Sequence, residues 1–115
     1  MDKEDVIKFL NDFKAKRSVF GIIYRDDRGK NLQALADLEI TALQRTEFIE
    51  KLEVENYSSG PHKNTLYPKR PDYWEFGLKI KDKVVYIKVE MGLPNTQVIC
   101  ISFHAAEHDL KYPFK

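Results

Sequence analysis

Apolar and polar residues alternate with a period of two over Trp74-Glu75-Phe76-Gly77-Leu78-Lys79-Ile80-Lys81, and again over Val84-Val85-Tyr86-Ile87-Lys88-Val89-Glu90. Such alternation predicts two strands with one face in a core and the other toward solvent. With Asp82-Lys83 as a two-residue hairpin loop, Lys79 faces Tyr86, Ile80 faces Val85, Leu78 faces Ile87 and Phe76 faces Val89, so apolar residues meet apolar ones. A slip by one residue would turn every side chain to the wrong face. Asp-Lys is not a favoured pair for this turn, and a wider loop is the alternative. In this pairing Gly77 stands opposite Lys88, where a strand glycine leaves room for a ligand to approach.

A third run, Gln97-Val98-Ile99-Cys100-Ile101-Ser102-Phe103-His104, follows the turn residues Leu93-Pro94-Asn95-Thr96. Placing Ile99, Ile101 and Phe103 in the core puts Ser102 and His104 on the face of Tyr86 and Lys88. The solvent side of the sheet then gathers Glu75, Lys79, Lys81, Tyr86, Lys88, Ser102 and His104, a set of proton donors, proton acceptors and cations.

Upstream, Val6, Phe9, Leu10 and Phe13 fall at i, i+3, i+4 and i+7 and predict an amphipathic first helix over Asp5–Phe13. Val19–Tyr24 is a β-branched and aromatic run that predicts an edge strand added to the C-terminal sheet. Residues 26–31 read as a turn whose paired aspartates lack the further oxygen ligands a hard cation needs. Leu32, Leu35, Ala36 and Leu38 suggest a second helix, and Thr41–Leu52 a third, capped at its start by Thr41 or Thr46. From Glu55 to Pro71 the chain has three prolines, one glycine and no periodicity, which predicts a long loop that delivers His62 and several cations to the first hairpin strand. The architecture expected is α+β, with N-terminal helices packed on one face of a small antiparallel sheet.

At 115 residues the chain suits one core and one domain, residues 1–115. Apolar residues make up 43% and charged residues 32%, the balance of a globular protein that is neither disordered nor membrane-embedded. No apolar stretch approaches the roughly 20 residues that span a bilayer, and the start Met-Asp-Lys-Glu-Asp has no signal-peptide character, so a cytoplasmic location is expected. Cys100 is the single cysteine and reads as a small buried hydrophobe. A net charge of +1 argues against broad, unspecific nucleic-acid affinity. Yet residues 1–60 carry ten Lys/Arg against twelve Asp/Glu, whereas residues 61–115 carry nine against six. The positive surplus lies around the hairpin, at Lys63, Lys69, Arg70, Lys79, Lys81, Lys83 and Lys88, with Tyr67, Tyr73 and Tyr86 between. Lysines on phosphates and tyrosines under bases suit single-stranded RNA; the same lysines also serve to keep sheet edges soluble.

The segment Trp74-Glu75, the run Val85-Tyr86-Ile87-Lys88-Val89 after a basic turn, and the closing strand Val98–His104 resemble the C-terminal half of the MqsR-type toxins, within the wider RelE-like group of toxin–antitoxin endoribonucleases. The similarity covers about residues 40–105, beginning with the helix Phe48-Ile49-Glu50-Lys51. It implies a RelE-like fold, cleavage of mRNA, a cognate antitoxin protein as partner and no cofactor. It also implies catalytic roles for Glu75, Tyr86 and His104 and, on the helix before the sheet, a role for Lys51 or its neighbour Glu50. The chain departs from the family at two of these positions, with an acidic residue after the tryptophan and a histidine where a lysine ends the last strand.

In such cleavage the 2′-hydroxyl is deprotonated and attacks phosphorus while the 5′-oxygen leaves with a proton, which takes two proton-transfer groups and one or two cations. Glu75 and His104 are the candidate base and acid in either order. Lys79 and Lys88 would hold the phosphate, with Lys51 and His62 as further substrate contacts, and Tyr86 would donate to the phosphate or stack on a base. His104-Ala105-Ala106-Glu107-His108 also matches the H-x-x-E-H pattern of inverted zinc peptidases, which requires a helix there. The rival to an enzyme is a non-catalytic RNA- or protein-binding module using the same sheet face. The pattern sets no oligomeric state.

Overall fold

Val6, Phe9, Leu10 and Phe13 are all buried along α1 (Lys3–Phe20), as their helical spacing predicts. The computed structural model describes residues 1–27 and 29–115. Among these, α1, α2 (Gly29–Leu38) and α3 (Ala42–Glu50) pack on a five-stranded mixed sheet, an α+β fold. The strands are β1 (Ile22–Tyr24), β2 (Tyr57–His62), β3 (Tyr73–Ile80), β4 (Lys83–Glu90) and β5 (Val98–Ala105), in the spatial order β1-β5-β4-β3-β2. No helix among the described residues is long and apolar enough to cross a membrane.

The core forms between the helices and one face of the sheet, where Phe76, Val85, Ile87, Val89, Val98, Cys100 and Phe103 are buried together with Ile49 and Leu52. Phe9 of α1 stacks on Trp74 with ring centroids 4.3 Å apart and planes 13° apart. Aromatic pairs of this kind contribute about 0.5–1.5 kcal/mol beyond area burial. Arg17 of α1 donates to Glu50 of α3 at 2.6 Å and ties the two helices together. Thr41, not Thr46, caps α3: its hydroxyl accepts from the Gln44 amide at 3.1 Å while the Gln44 side chain returns to the Thr41 amide at 2.9 Å.

Val19 and Phe20 belong to α1, so the edge strand starts only at Ile22, and it pairs parallel to β5, which makes the sheet mixed. Leu32 is exposed, and α2 buries Leu38 as its spacing suggests but also Asn31 and Ala34. The turn expected over 26–31 includes Arg28, which lies outside the described residues. The segment expected to be a loop from Glu55 to Pro71 begins with a single 3₁₀ turn (Val54–Asn56) and then β2, which pairs with β3 through two irregularities. Its Pro61 is accommodated because β2 is an edge strand.

The hairpin turn is Lys81-Asp82, one residue earlier than expected, and both residues have positive φ (49° and 67°) as a type I′ turn requires. Moving the turn by one shifts the pairing by two, so Phe76 opposes Ile87 and Gly77 opposes Tyr86, while every side chain keeps its face. On β5 the change is larger. Lys88 pairs with Ser102 but Val89 pairs with Cys100, so Ile101 is an extra, bulged residue. The bulge reverses the alternation on its N-terminal side, which places Val98 and Cys100 in the core and leaves Ile101 half-buried.

Candidate active site

Three adjacent strands present one open face. Glu75 pairs with Lys88, Lys88 with Ser102, and Tyr86 with His104, and residues opposite one another across strands share a face. These five side chains therefore converge, as the alternation predicts, and they line an open pocket of about 610 Å³. Its remaining walls are the first turn of α2 (Gly29, Lys30, Asn31) and the segment 106–110 after β5.

Glu75 is the hub. The Tyr86 hydroxyl donates to one carboxylate oxygen, Ser59 donates to the other at 2.7 Å, and the His62 Nε2 atom lies 3.0 Å from that same oxygen and 2.9 Å from the Ser59 hydroxyl. The carboxylate side chain is 23% exposed, enough to meet a ligand and little enough to feel its neighbours strongly. A continuous chain of polar contacts thus runs from His62 through Ser59 and Glu75 to Tyr86. Beyond it, the His104 ring stands 5.5 Å from the Tyr86 ring, with its Nδ1 atom 3.0 Å from the Ala105 carbonyl oxygen. The Lys88 ammonium sits 4.5 Å over the Tyr73 ring, a cation–π contact that fixes the charge at the rim of the pocket.

No family model, no curated protein and no solved structure matches this chain. What the face does chemically follows from its own residues.

Of the residues expected at the site, Glu75, Tyr86, Lys88 and His104 are brought together and His62 joins them through β2. Lys51 and Lys79 are not. Lys51 ends α3 with its ammonium 5.6 Å from the Phe48 ring, and α3 contributes Ile49 to the core on the opposite side of the sheet. Lys79 is exposed and pairs with Val84, one step past Gly77 along the same face. Gly77 itself does not leave room for a ligand: a Cβ there would run into the Tyr112 hydroxyl and Leu110. The C-terminal segment fills that space, crossing the face between Glu75 and Lys79, and it ends with Phe114 stacked on Tyr57 at 5.5 Å.

The H-x-x-E-H run is not a zinc motif. His104 belongs to β5, the residues after Ala105 are not helical, and Glu107 instead pairs with Lys30 at 2.9 Å across the pocket mouth. Lys30 holds the Glu107 carboxyl below its ordinary range, by hydrogen bonding and by charge. Both side chains are well exposed, so this latch is weak.

Ser59, Lys30 and Asn31 are site residues that the pattern did not reveal. Asn31 is buried and replaces a strand: where β1 ends, its amide donates to the Ile101 carbonyl at 3.0 Å and accepts from the Phe103 amide at 3.0 Å. It donates as well to the Arg25 carbonyl at 2.8 Å. The edge of β5 is thereby satisfied beside the bulge, and the start of α2 is pinned over the pocket.

Proposed function

We propose that this protein is a toxin-type endoribonuclease of the cytoplasm that cuts single-stranded mRNA without a cofactor and is restrained by a cognate antitoxin protein. The pattern-level resemblance of the sequence to MqsR-type toxins suggests the class, and the Glu75–Tyr86–His104 arrangement beside Lys88 supports the chemistry. The observation that carries the reading is the phenol of Tyr86 held by hydrogen bond to Glu75 with an imidazole directly across the strand pair. A proton acceptor, a proton donor and one cation then line the same pocket.

In this mechanism Glu75 accepts the 2′-hydroxyl proton, directly or through Tyr86, which passes its own proton to Glu75 as it takes the new one. The 2′-oxygen forms a bond to phosphorus and the bond from phosphorus to the 5′-oxygen breaks. Protonated His104 gives its proton to that leaving oxygen, so the products end in a 2′,3′-cyclic phosphate and a 5′-hydroxyl. Lys88 stabilises the extra charge on the phosphorane. General acid–base groups of this kind each contribute about 10²–10⁴-fold in rate. Ser59 and His62 act through Glu75 and hold it in place.

A second reading, a binding module without turnover, is favoured by one observation: both oxygens of Glu75 already accept hydrogen bonds within the protein. Induced expression in a bacterial host separates the two. The endoribonuclease arrests growth, and the His104→Ala variant, accumulating to the same level, does not. Growth arrest that persists in that variant, or no arrest by the unaltered chain, contradicts the nuclease reading.

A further inference from the structure

Lys88 borders not one cavity but two. The second, about 210 Å³, lies on the same face of the sheet, floored by Tyr73 and by the bulge residue Ile101 and roofed by Leu66 and Tyr67 from the connection between β2 and β3. Arg25, Asp27 and Glu90 supply polar groups at its edges. Pockets for drug-sized ligands start at about 300 Å³, so this one fits a single flat ring system and little more.

The roof is unusual in its apolar exposure: Leu66 is 81% exposed and Tyr67 61%. Its backbone is nevertheless tied down. The Tyr67 amide donates to the Asn64 side chain at 3.1 Å, and the Arg70 amide donates to the Tyr67 carbonyl at 2.8 Å. Arg70 in turn donates at 2.5 Å to Glu90, which is buried in β4. An aromatic ring is thus presented to solvent from a segment anchored in the sheet, so little ordering entropy is lost when a partner stacks on it.

Recognition of single-stranded RNA uses a cation for the phosphate, a ring to stack on and polar groups to read the base edge. All three surround this cavity, and Lys88 joins it to the larger pocket. We propose that the cavity under Tyr67 receives one unstacked nucleobase of an RNA strand whose adjacent phosphate lies at Lys88. Tyr67 stacks on the base, while Arg25 and Asp27 face its hydrogen-bonding edge and make it a site of sequence preference. This inference rests on the endoribonuclease reading for its substrate.

The test uses the full chain and a short single-stranded 2′-O-methyl RNA, which cannot be cut because no free 2′-hydroxyl remains, with one abasic residue moved through the sequence. Binding is followed by fluorescence anisotropy. An abasic residue at one position weakens binding about tenfold, in line with the loss of a stacked base. Tyr67→Ala weakens binding of the intact strand to the same degree, and in that variant the abasic residue adds no further loss; Tyr67→Phe, which keeps the ring, binds as the unaltered chain does. Losses that multiply to about a hundredfold in the combination, or a Tyr67→Ala variant that binds normally, overturn the base site, as does binding of a protein partner at Tyr67 with no affinity for RNA. The two proposals fail separately. RNA cleavage without this coupling leaves the nuclease reading standing, and coupling without any cleavage of ordinary RNA removes the nuclease reading alone.

Discussion

The Tyr86 hydroxyl donates to Glu75 across the β3–β4 pair on a diagonal, because Glu75 lies opposite Lys88 and Tyr86 lies opposite Gly77. Diagonal neighbours on one face are within reach of a long aromatic side chain. The same geometry that orders the two groups keeps the Tyr86 ring beside His104.

Removing only the phenolic oxygen isolates this bond. If the proposed nuclease reading holds, Tyr86→Phe lowers RNA cleavage by about 10²–10⁴-fold while costing about 0.5–1.5 kcal/mol of stability, the net contribution of one hydrogen bond. Cleavage of a labelled RNA and a thermal melt of the same preparation check both numbers. Cleavage that falls only in step with the fraction folded contradicts a role in the reaction.

Asn31 carries three hydrogen bonds from a buried position, two of them to the open edge of β5. Asn31→Ala leaves the Phe103 amide and the Ile101 carbonyl without those partners, and unpaired buried groups cost about 1–3 kcal/mol each. A loss of about 2–4 kcal/mol in urea unfolding is expected, among the larger effects of a single substitution. Asn31→Asp keeps the acceptor for Phe103 and loses both donors, so it too destabilises the protein.

The seat of the C-terminal segment is sensitive to one methyl group. Gly77→Ala places a Cβ against the ends of Tyr112 and Leu110, atoms on flexible side chains, so the segment gives way before the sheet does. Faster proteolysis after residue 105 with an unchanged melting transition is the expected result. A lowered melting transition with the tail still protected would place the strain in the strands instead.

Burial pushes the Cys100 thiol up to about 12 and the Tyr24 phenol up to about 12, from ordinary values of 9.0 and 10.0. At pH 8 Cys100 therefore stays protonated and covered, and a thiol-reactive dye labels it only when the protein is unfolded in urea. The unfolded chain releases these protons first, so stability is full below pH 9 and declines as pH rises from 9 to 12. Chemical denaturation at a series of alkaline pH values follows that slope. A flat or rising profile across the window contradicts the burial of these groups.

Strict alternation made β3 and β4 legible, and because the hairpin turn moved by one residue the pairing moved by two, so the grouping of Glu75, Tyr86 and Lys88 survived the error. On β5 the run Val98-Ile99-Cys100-Ile101 is apolar throughout and offers no phase, so the bulge that sends Ile101 outward was hidden. Ser102 and His104 lie past it, so the alternation gives their face. Tyr57-Ser58-Ser59-Gly60-Pro61-His62 has neither alternation nor strand-forming composition, and it becomes a strand only by pairing with the edge of β3. With β2 unseen, Ser59 was invisible as the partner of Glu75. A role for Lys51 rests on family likeness alone, and the packing of α3 on the core side carries it away from the face it is expected to serve.

In the proposed function one open sheet face performs proton transfer on RNA. The most direct test is incubation of purified protein with a 5′-labelled single-stranded RNA in the presence of a chelator, followed by analysis of the new ends. The unaltered chain is predicted to yield fragments with 2′,3′-cyclic phosphate and 5′-hydroxyl termini, and the Tyr86→Phe/His104→Ala double variant, folded to the same degree, to yield none. Intact RNA with the unaltered chain, or equal cutting by the double variant, would contradict the proposed nuclease activity.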